Sequence, residues 1–189
     1  MKNICVFCGS NTGKNPKNMI QAYKVGEALA KRKINLIYGA SDFGLMGQVA
    51  KAVLDNNGKA TGIMPEIFSS KVEHPNLTEL IITKDMKERK ALMLEKSDGF
   101  ITLPGGFGTL EELFEMITLN QIGYHKKPSA ILNIDGFYDK LIEFLDQLVE
   151  EEFIHPIHRS ALIISDNIEE ILDKMEKFQN VHTDKWRNA

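Results

Sequence analysis

The chain has 189 residues, 43% of them hydrophobic and 26% charged, a composition typical of a soluble globular domain. A formal net charge of −3 gives no electrostatic reason to bind nucleic acid or an anionic membrane. No apolar run approaches the roughly 20 residues of a membrane span, and the apolar patch at residues 4–7 is too short for a secretory signal. We therefore expect one cytoplasmic domain over residues 1–180 and a polar tail over 181–189.

Strand-like apolar runs alternate with helix-like runs along the chain. The predicted strands are 3–7, 35–38, 60–64, 79–83, 99–103, 129–133 and 162–165. The predicted helices are 16–31, 45–56, 86–96, 109–122, 138–151 and 167–177, and the connection at 65–76 is expected to be irregular. The strands are apolar throughout, which is typical of burial on both faces. The sequence thus predicts an α/β fold: a Rossmann-like, doubly wound parallel sheet of about seven strands flanked by helices.

Glycine clusters follow three of the predicted strands, at Gly9, within 39–47 and within 105–108. Ligands of such folds bind beyond the carboxyl ends of the strands, near the point where strand order reverses. We therefore expect the three clusters to converge on one edge of the sheet. Ser10 and Gly44 belong to the first two clusters and are candidate substrate contacts.

The segment from Pro104 to Glu112 reads PGGFGTLEE and joins a strand to a helix. Its spacing matches neither a Walker A loop nor a dinucleotide fingerprint. Three glycines before a helix N-terminus favour a phosphate site. Thr109 is predicted to cap the helix, and Glu112 then has two interpretations: the partner of Thr109 in a T-x-x-E capping box, or an acid/base group beside the phosphate.

A second segment, Asp85 to Lys90, also has capping-box spacing, between Asp85 and Glu88. Arg89 and Lys90 follow near the positive end of the helix dipole, where cations are mildly unfavourable. An anionic ligand or a facing carboxylate would offset this cost. The alternative is a solvated basic helix face.

Neither cysteine nor histidine gives a strong site. Cys5 and Cys8 form a CxxC that ends a strand, which favours structural thiols in a reducing compartment over a redox pair. Two cysteines supply only half of a structural zinc site, and the five histidines show no ligand spacing.

Together these segments resemble the LONELY GUY family of cytokinin riboside 5′-monophosphate phosphoribohydrolases. The resemblance rests on the PGGxGTxxE motif at 104–112 and on the arginine–lysine pair in DMKERK at 85–90. It extends to FCGS at 7–10, GLMG at 44–47, QIGYHKKP at 121–128 and NIDGFY at 133–138. Where family members usually have consecutive glycines after the second strand, this chain has Gly39-Ala40-Ser41-Asp42.

The resemblance implies hydrolysis of the N-glycosidic bond of a nucleoside 5′-monophosphate, without metal or cofactor, by a protein that forms homodimers. It implies catalytic roles for Arg89 and Glu112. The implied substrate contacts are Ser10, Gly44, Met86, Lys90, Gly105, Gly106, Phe107, Gly108, Thr109, Glu111 and Thr118. Whether plain or isopentenyl-modified adenine is the preferred base stays open. The residues give no support for the lysine decarboxylase label that members of this fold have carried. A non-catalytic nucleotide or phosphorylated-cofactor carrier is the alternative, and it would need the glycine loop without Arg89 and Glu112.

Overall fold

A computed structural model describes residues 1–69 and 77–179. The strands are β1 (Asn3–Phe7), β2 (Asn35–Tyr38), β3 (Ala60–Pro65), β4 (Glu79–Thr83), β5 (Gly99–Thr102), β6 (Ser129–Leu132) and β7 (Leu162–Ser165). The helices are α1 (Lys17–Lys31), α2 (Gly44–Asp55), α3 (Glu66–Ser69), α4 (Met86–Lys96), α5 (Phe107–Gln121), α6 (Asp139–Glu150), α7 (Pro156–Ser160) and α8 (Ile168–Glu176), with a short 3₁₀ helix at Ile134–Gly136.

All seven strands are parallel and stand in the order β4-β3-β2-β1-β5-β6-β7, which confirms the predicted fold class. The chain builds the sheet outward from β1 to β4 and then returns to pair β5 with the free side of β1. Ile4 lies opposite Gly99 and Phe7 opposite Thr102. Strand order therefore reverses between β1 and β5, where a crevice opens beyond the carboxyl ends of the strands.

The core lies on both faces of the sheet, as the apolar strands require. On one face, α1, α2 and α8 bury aliphatic side chains such as Leu29, Val53 and Ile171 in one cluster with side chains of β1, β2 and β6. On the other face, α4 and α5 bury Met93 and Met116 against the opposite sides of the same central strands. The central strands are thus fixed from both sides, and with them the loops at their carboxyl ends.

The predicted strands and long helices agree with the observed ones to within two residues at each end. The helix α3, the 3₁₀ helix and α7 were not predicted, because elements of three to five residues are too short to show an apolar period. The connection predicted as irregular at 65–76 begins with the end of β3 and then α3; its residues 70–76 lie outside the described part of the chain, as does the predicted tail.

Candidate active site

A cavity of about 470 Å³ opens at the reversal point between β1 and β5. Its walls come from the loops after β1, β2, β5 and β6 and from helices α1, α2, α4 and α5. The lining residues are Val6 to Gly13, Asn18, Gly39, Leu45, Met46, Arg89, Met93, Pro104 to Thr109, Glu112 and Phe137. The glycine clusters after β1, β2 and β5 therefore meet at one edge of the sheet, as their positions predict.

Backbone hydrogen bonds join these loops to one another. The Gly9 N–H donates to the Pro104 carbonyl (3.0 Å), and the Leu45 N–H donates to the Gly9 carbonyl (3.0 Å). Gly44 has a left-handed φ of +57°, and a Cβ there would stand 2.4 Å from the Ser10 carbonyl carbon. Gly44 thus supports the loop after β1 from behind, and it is not among the residues that line the cavity.

Helix α5 begins two residues earlier than its sequence predicts, at Phe107. Gly106, in an extended conformation, is the N-cap, and its carbonyl accepts the N–H of Leu110 at 3.0 Å. Because glycine suits this position, Thr109 is not needed as a cap and lies inside the first turn. No side chain caps this helix end, so the predicted capping box between Thr109 and Glu112 is wrong.

The glycine loop leaves space for an anion in front of this uncapped helix end. A Cβ on Gly105 would stand 2.1 Å from the Thr109 hydroxyl oxygen, so Gly105 lets that hydroxyl lie against the loop. A Cβ on Gly106 or Gly108 would meet nothing within 4 Å, because both face open space. The first N–H groups of a helix have no partner within it, and here they adjoin a cavity of phosphate-accepting size.

Arg89 reaches the cavity from the first turn of α4, where the predicted cap is observed. The Asp85 carboxylate accepts the Glu88 N–H (2.8 Å), and the Glu88 carboxylate accepts the Lys84 N–H (2.8 Å). The guanidinium donates from Nε to the Ile63 carbonyl at the end of β3 (3.1 Å), and its Nη1 lies 3.3 Å from Oε1 of Glu112. A facing carboxylate offsets the cost of placing Arg89 near the positive end of the helix dipole. Glu112 is that carboxylate.

Glu112 lies within α5, one turn beyond the glycine loop, and its side chain is only 11% exposed. Burial raises the pKa of Glu112 from 4.5 to about 6, while the charge of Arg89 acts in the opposite direction. A carboxylate with this pKa is ionised at neutral pH but close to protonation, which suits a group that exchanges protons with water.

Lys90 is not among the residues that line the cavity, and it joins α4 to α5. Its ammonium pairs with the carboxylates of Glu111 and Glu115, the latter at 2.9 Å, and the lysine side chain is 19% exposed. Arg89 and Lys90 are therefore both ion-paired and largely buried, so the alternative of a solvated basic helix face is wrong.

The predicted site residues divide into two groups. Those that line the cavity are Ser10, Arg89, Gly105, Gly106, Phe107, Gly108, Thr109 and Glu112. Those outside its lining are Gly44, Met86, Lys90, Glu111 and Thr118. Met86 lies behind the site, with its sulfur 3.7 Å from Nη1 of Arg89, and Thr118 is exposed on α5.

The lining also includes residues that were not named as substrate contacts, among them Gly39, Met46, Asn18 and Phe137. Gly39 directly follows β2 and Met46 lies in the first turn of α2, so their position after a strand was an available signal. The sequence carries no signal for Phe137 and Asn18, because a single aromatic residue or a single amide forms no pattern.

Burial raises the pKa of both cysteine thiols, the opposite of the shift that activates a cysteine, which agrees with structural thiols. Within residues 1–69 and 77–179 no three His, Cys, Asp or Glu side chains are grouped as a metal site. In the same ranges, no helix is long and apolar enough to cross a membrane.

The site is typical of an α/β protein that binds a phosphorylated ligand: a glycine loop and a helix N-terminus lie beside a buried arginine–glutamate pair, where the strand order of a parallel sheet reverses. A family model described as "Possible lysine decarboxylase" matches residues 46–175. The chain is 41% identical over 94% of its length to the cytokinin riboside 5′-monophosphate phosphoribohydrolase LOG7 of Arabidopsis thaliana, covering 82% of it. It is 42% identical over 96% of its length to LOG3 of the same plant, covering 85%. The chain belongs to the family of these phosphoribohydrolases.

Among solved structures, the molybdenum cofactor binding protein from the bacterium Rippkaea orientalis is similar with a TM-score of 0.71. The match covers 94% of this chain and 97% of that one at 20% sequence identity. At this identity the likeness concerns the fold alone.

Proposed function

We propose that this protein hydrolyses the N-glycosidic bond of N6-modified adenosine 5′-monophosphates, giving the free base and ribose 5-phosphate. The observation that carries the proposal is the contact between Arg89 and Glu112, one helical turn from a glycine loop open to the cavity. The family's named members are phosphoribohydrolases of cytokinin riboside 5′-monophosphates, which is the same reaction class.

The substrate phosphate binds at the N-terminus of α5. The open positions of Gly106 and Gly108 admit its oxygens to the backbone N–H groups, and the hydroxyl of Thr109 adds a donor. Gly105, Phe107 and Ser10 complete this wall. Because the phosphate is remote from the bond that breaks, this grip serves to place C1′ for attack.

Glu112 lies one turn further along the helix, where the ribose follows the phosphate. As the bond from C1′ to the base nitrogen breaks, its electron pair leaves with the base and positive charge develops at C1′. The Glu112 carboxylate stabilises that charge and accepts a proton from the water whose oxygen bonds to C1′. Arg89 holds Glu112 in place and stabilises negative charge on the departing base, and it donates no proton because it stays charged. The base anion takes up a proton from solvent to give the free base, and Glu112 returns its proton to solvent.

The remaining predicted contacts act at the margins of this site. Lys90 and Glu111 hold α4 against α5, and Met86 lies against the Arg89 guanidinium. Gly44 supports the loop that carries Ser10. Thr118 is exposed, two turns beyond Glu112, and would contact substrate only in an assembly that covers α5.

Such an assembly is a homodimer, which we propose from the exposed face of α5. This face carries, at helical spacing, Phe107, Glu111, Phe114, Thr118 and, just beyond the helix, Ile122. Phe107 is 94% exposed and Ile122 51%, unusual values for side chains of this size. The free, buried thiols of Cys5 and Cys8 agree with a reducing compartment such as the cytoplasm.

The proposal is tested by incubating purified protein with AMP or with isopentenyladenosine monophosphate and separating the products by chromatography. We expect release of free base and ribose 5-phosphate, and none from the unphosphorylated riboside. The two nucleotides compared side by side give the base preference. Binding of the nucleotides without release of either base would instead indicate the carrier function.

A further inference from the structure

Gly39 directly follows β2 and lines the cavity, although no part of the mechanism above uses it. Its φ is not in the left-handed region, so backbone conformation does not require glycine here. The lack of space around this position does require glycine. A Cβ on Gly39 would stand 2.2 Å from Nη2 of Arg89 and 2.3 Å from Cε of Met46. Real Cβ atoms do not approach other atoms this closely, so a side chain at this position would displace its neighbours.

The Arg89 guanidinium is held on three sides. Gly39 lies beside Nη2. The Ile63 carbonyl accepts a hydrogen bond from the Nε–H at 3.1 Å, and Oε1 of Glu112 lies 3.3 Å from Nη1. The guanidinium is a planar group at the end of a flexible side chain, so it would move as a unit away from a methyl group at position 39. We expect that movement to lengthen the contact between Arg89 and Glu112, which lies on another edge of the same planar group.

We propose that Gly39 is a positioning residue for glycosidic-bond hydrolysis: its missing side chain forms the slot that holds the Arg89 guanidinium against Glu112. The proposal rests on the function proposed above, because it assigns Gly39 a role through the Arg89–Glu112 pair.

The ionisation of Glu112 reports whether this slot is intact. The charged and titratable groups that face Glu112 are Arg89 and Lys90 from α4, Glu111 and Glu115 from α5, the thiol of Cys5 in β1 and the thiol of Cys8 just after β1. The charged group nearest to Gly39 is that of Arg89. Withdrawing that single positive charge removes an interaction that favours the carboxylate, so the pKa of Glu112 should rise.

The test is Gly39→Ala, with Gly99→Ala as the matched control. A Cβ on Gly99 would also meet a methionine methyl, that of Met175 at 2.5 Å, but at the opposite end of the sheet. The pKa of Glu112 is read from carboxyl carbon-13 NMR in the ligand-free protein, with the signal assigned by Glu112→Gln. We expect Gly39→Ala to raise this pKa and to lower kcat about 100-fold, the usual effect of losing one electrostatic contact. Gly99→Ala should change neither.

A second comparison separates positioning from general damage. In an Arg89→Ala background the slot is empty, so adding Gly39→Ala should leave the pKa of Glu112 where Arg89→Ala alone sets it. If Gly39→Ala does not fold, the pair Gly39→Ala/Met46→Ala and Met46→Ala gives the same comparison without the methionine clash.

An unchanged or lowered pKa of Glu112 in folded Gly39→Ala would overturn the proposal. The proposal would also fail if Gly39→Ala raised the pKa of Glu112 by the same amount in the Arg89→Ala background as in the wild type. These readings need no substrate. If the wild-type protein released no base, the proposed function would fail while the placement of Arg89 by Gly39 would still be decided.

Discussion

Glu112 and Arg89 depend on each other because both are nearly withdrawn from water, with side chains 11% and 12% exposed. Removing one charge from such a pair leaves the other buried without compensation, which is costly. Burial is the main cause that raises the pKa of Glu112, with smaller contributions from the charges of Glu111 and Glu115, while Arg89 and Lys90 limit the rise to a value of about 6. The pair thus keeps a carboxylate both charged and reactive at neutral pH.

We expect Glu112→Gln to keep the fold at a lower unfolding temperature, because Arg89 loses its partner charge, and to release base at least about 100-fold more slowly than the wild type. Glutamine has nearly the same volume and keeps an oxygen for Arg89, but it can neither accept the proton of the water nor balance charge at C1′. Thermal unfolding and base release are the measurements. The matched control is Glu143→Gln, an exposed carboxylate on α6, which should leave both unchanged. Turnover at the wild-type rate in Glu112→Gln would exclude the catalytic role.

The pKa of Glu112 predicts opposite pH dependences for activity and stability. Base release needs the ionised carboxylate, so kcat should rise with pH through about 6. The folded protein binds the proton of the Glu112 carboxyl more tightly than the unfolded chain does. The stability that this proton contributes is therefore complete below pH 4.5 and is lost as the pH rises through about 6. The loss is about 2 kcal/mol relative to Glu112→Gln, whose residue 112 does not titrate. Denaturant unfolding of both proteins between pH 4 and 7 measures it; parallel curves would contradict the assigned shift.

At the scale of elements, the start of α5 decides how the glycine loop works. Had Thr109 been the cap, its hydroxyl would be occupied by the helix backbone. With Gly106 as the cap, that hydroxyl lies against Gly105, and the first turn is left to a ligand. The three glycines then have different tasks, because one makes room for a side chain and two face open space.

This difference predicts different outcomes for alanine at the three positions. Gly106→Ala and Gly108→Ala should fold normally but raise KM about tenfold, because each methyl occupies phosphate space. Gly105→Ala should instead lower the free energy of unfolding by about 1–3 kcal/mol, because its methyl overlaps the Thr109 side chain. The inhibition constant of inorganic phosphate is measured for each variant. It reports binding at the phosphate site alone, because inorganic phosphate makes no ribose or base contacts. A destabilised Gly108→Ala with unchanged KM would reverse the assignment.

The sequence predicts the sheet, its long helices and the gathering of glycine loops, because burial on two faces and glycine after a strand are local patterns. The family resemblance selects Arg89 and Glu112 as candidate catalytic residues, and the structure places both in the cavity lining and in contact with each other. The sequence does not predict the exposure of Thr118 or the role of Lys90, since both depend on how α4 packs against α5. The sequence places Gly39 in the glycine cluster after the second strand, but it does not show that Arg89, fifty residues later in the chain, adjoins it.

At the scale of the whole molecule, the exposed face of α5 predicts the oligomeric state. We expect a dimer by light scattering coupled to size-exclusion chromatography, and we expect Phe114→Glu to dissociate it by placing a charge within the apolar contact. The matched control is Phe144→Glu on α6, whose aromatic ring is exposed at 53%. A dimer that survives Phe114→Glu and dissociates in Phe144→Glu would move the interface from α5 to α6.

The reversal of strand order has a kinetic consequence. Arg89 belongs to the half of the chain that builds β1 to β4, and Glu112 to the half that begins with β5. Within the sheet, the two halves join where β1 pairs with β5, which brings Ile4 beside Gly99 across about half of the chain. Long-range parallel pairing is a slow step in folding. During refolding, catalysis should therefore appear only after the amides of β1 and β5 become protected from hydrogen exchange, so that enzymatic activity marks the last joining of the sheet.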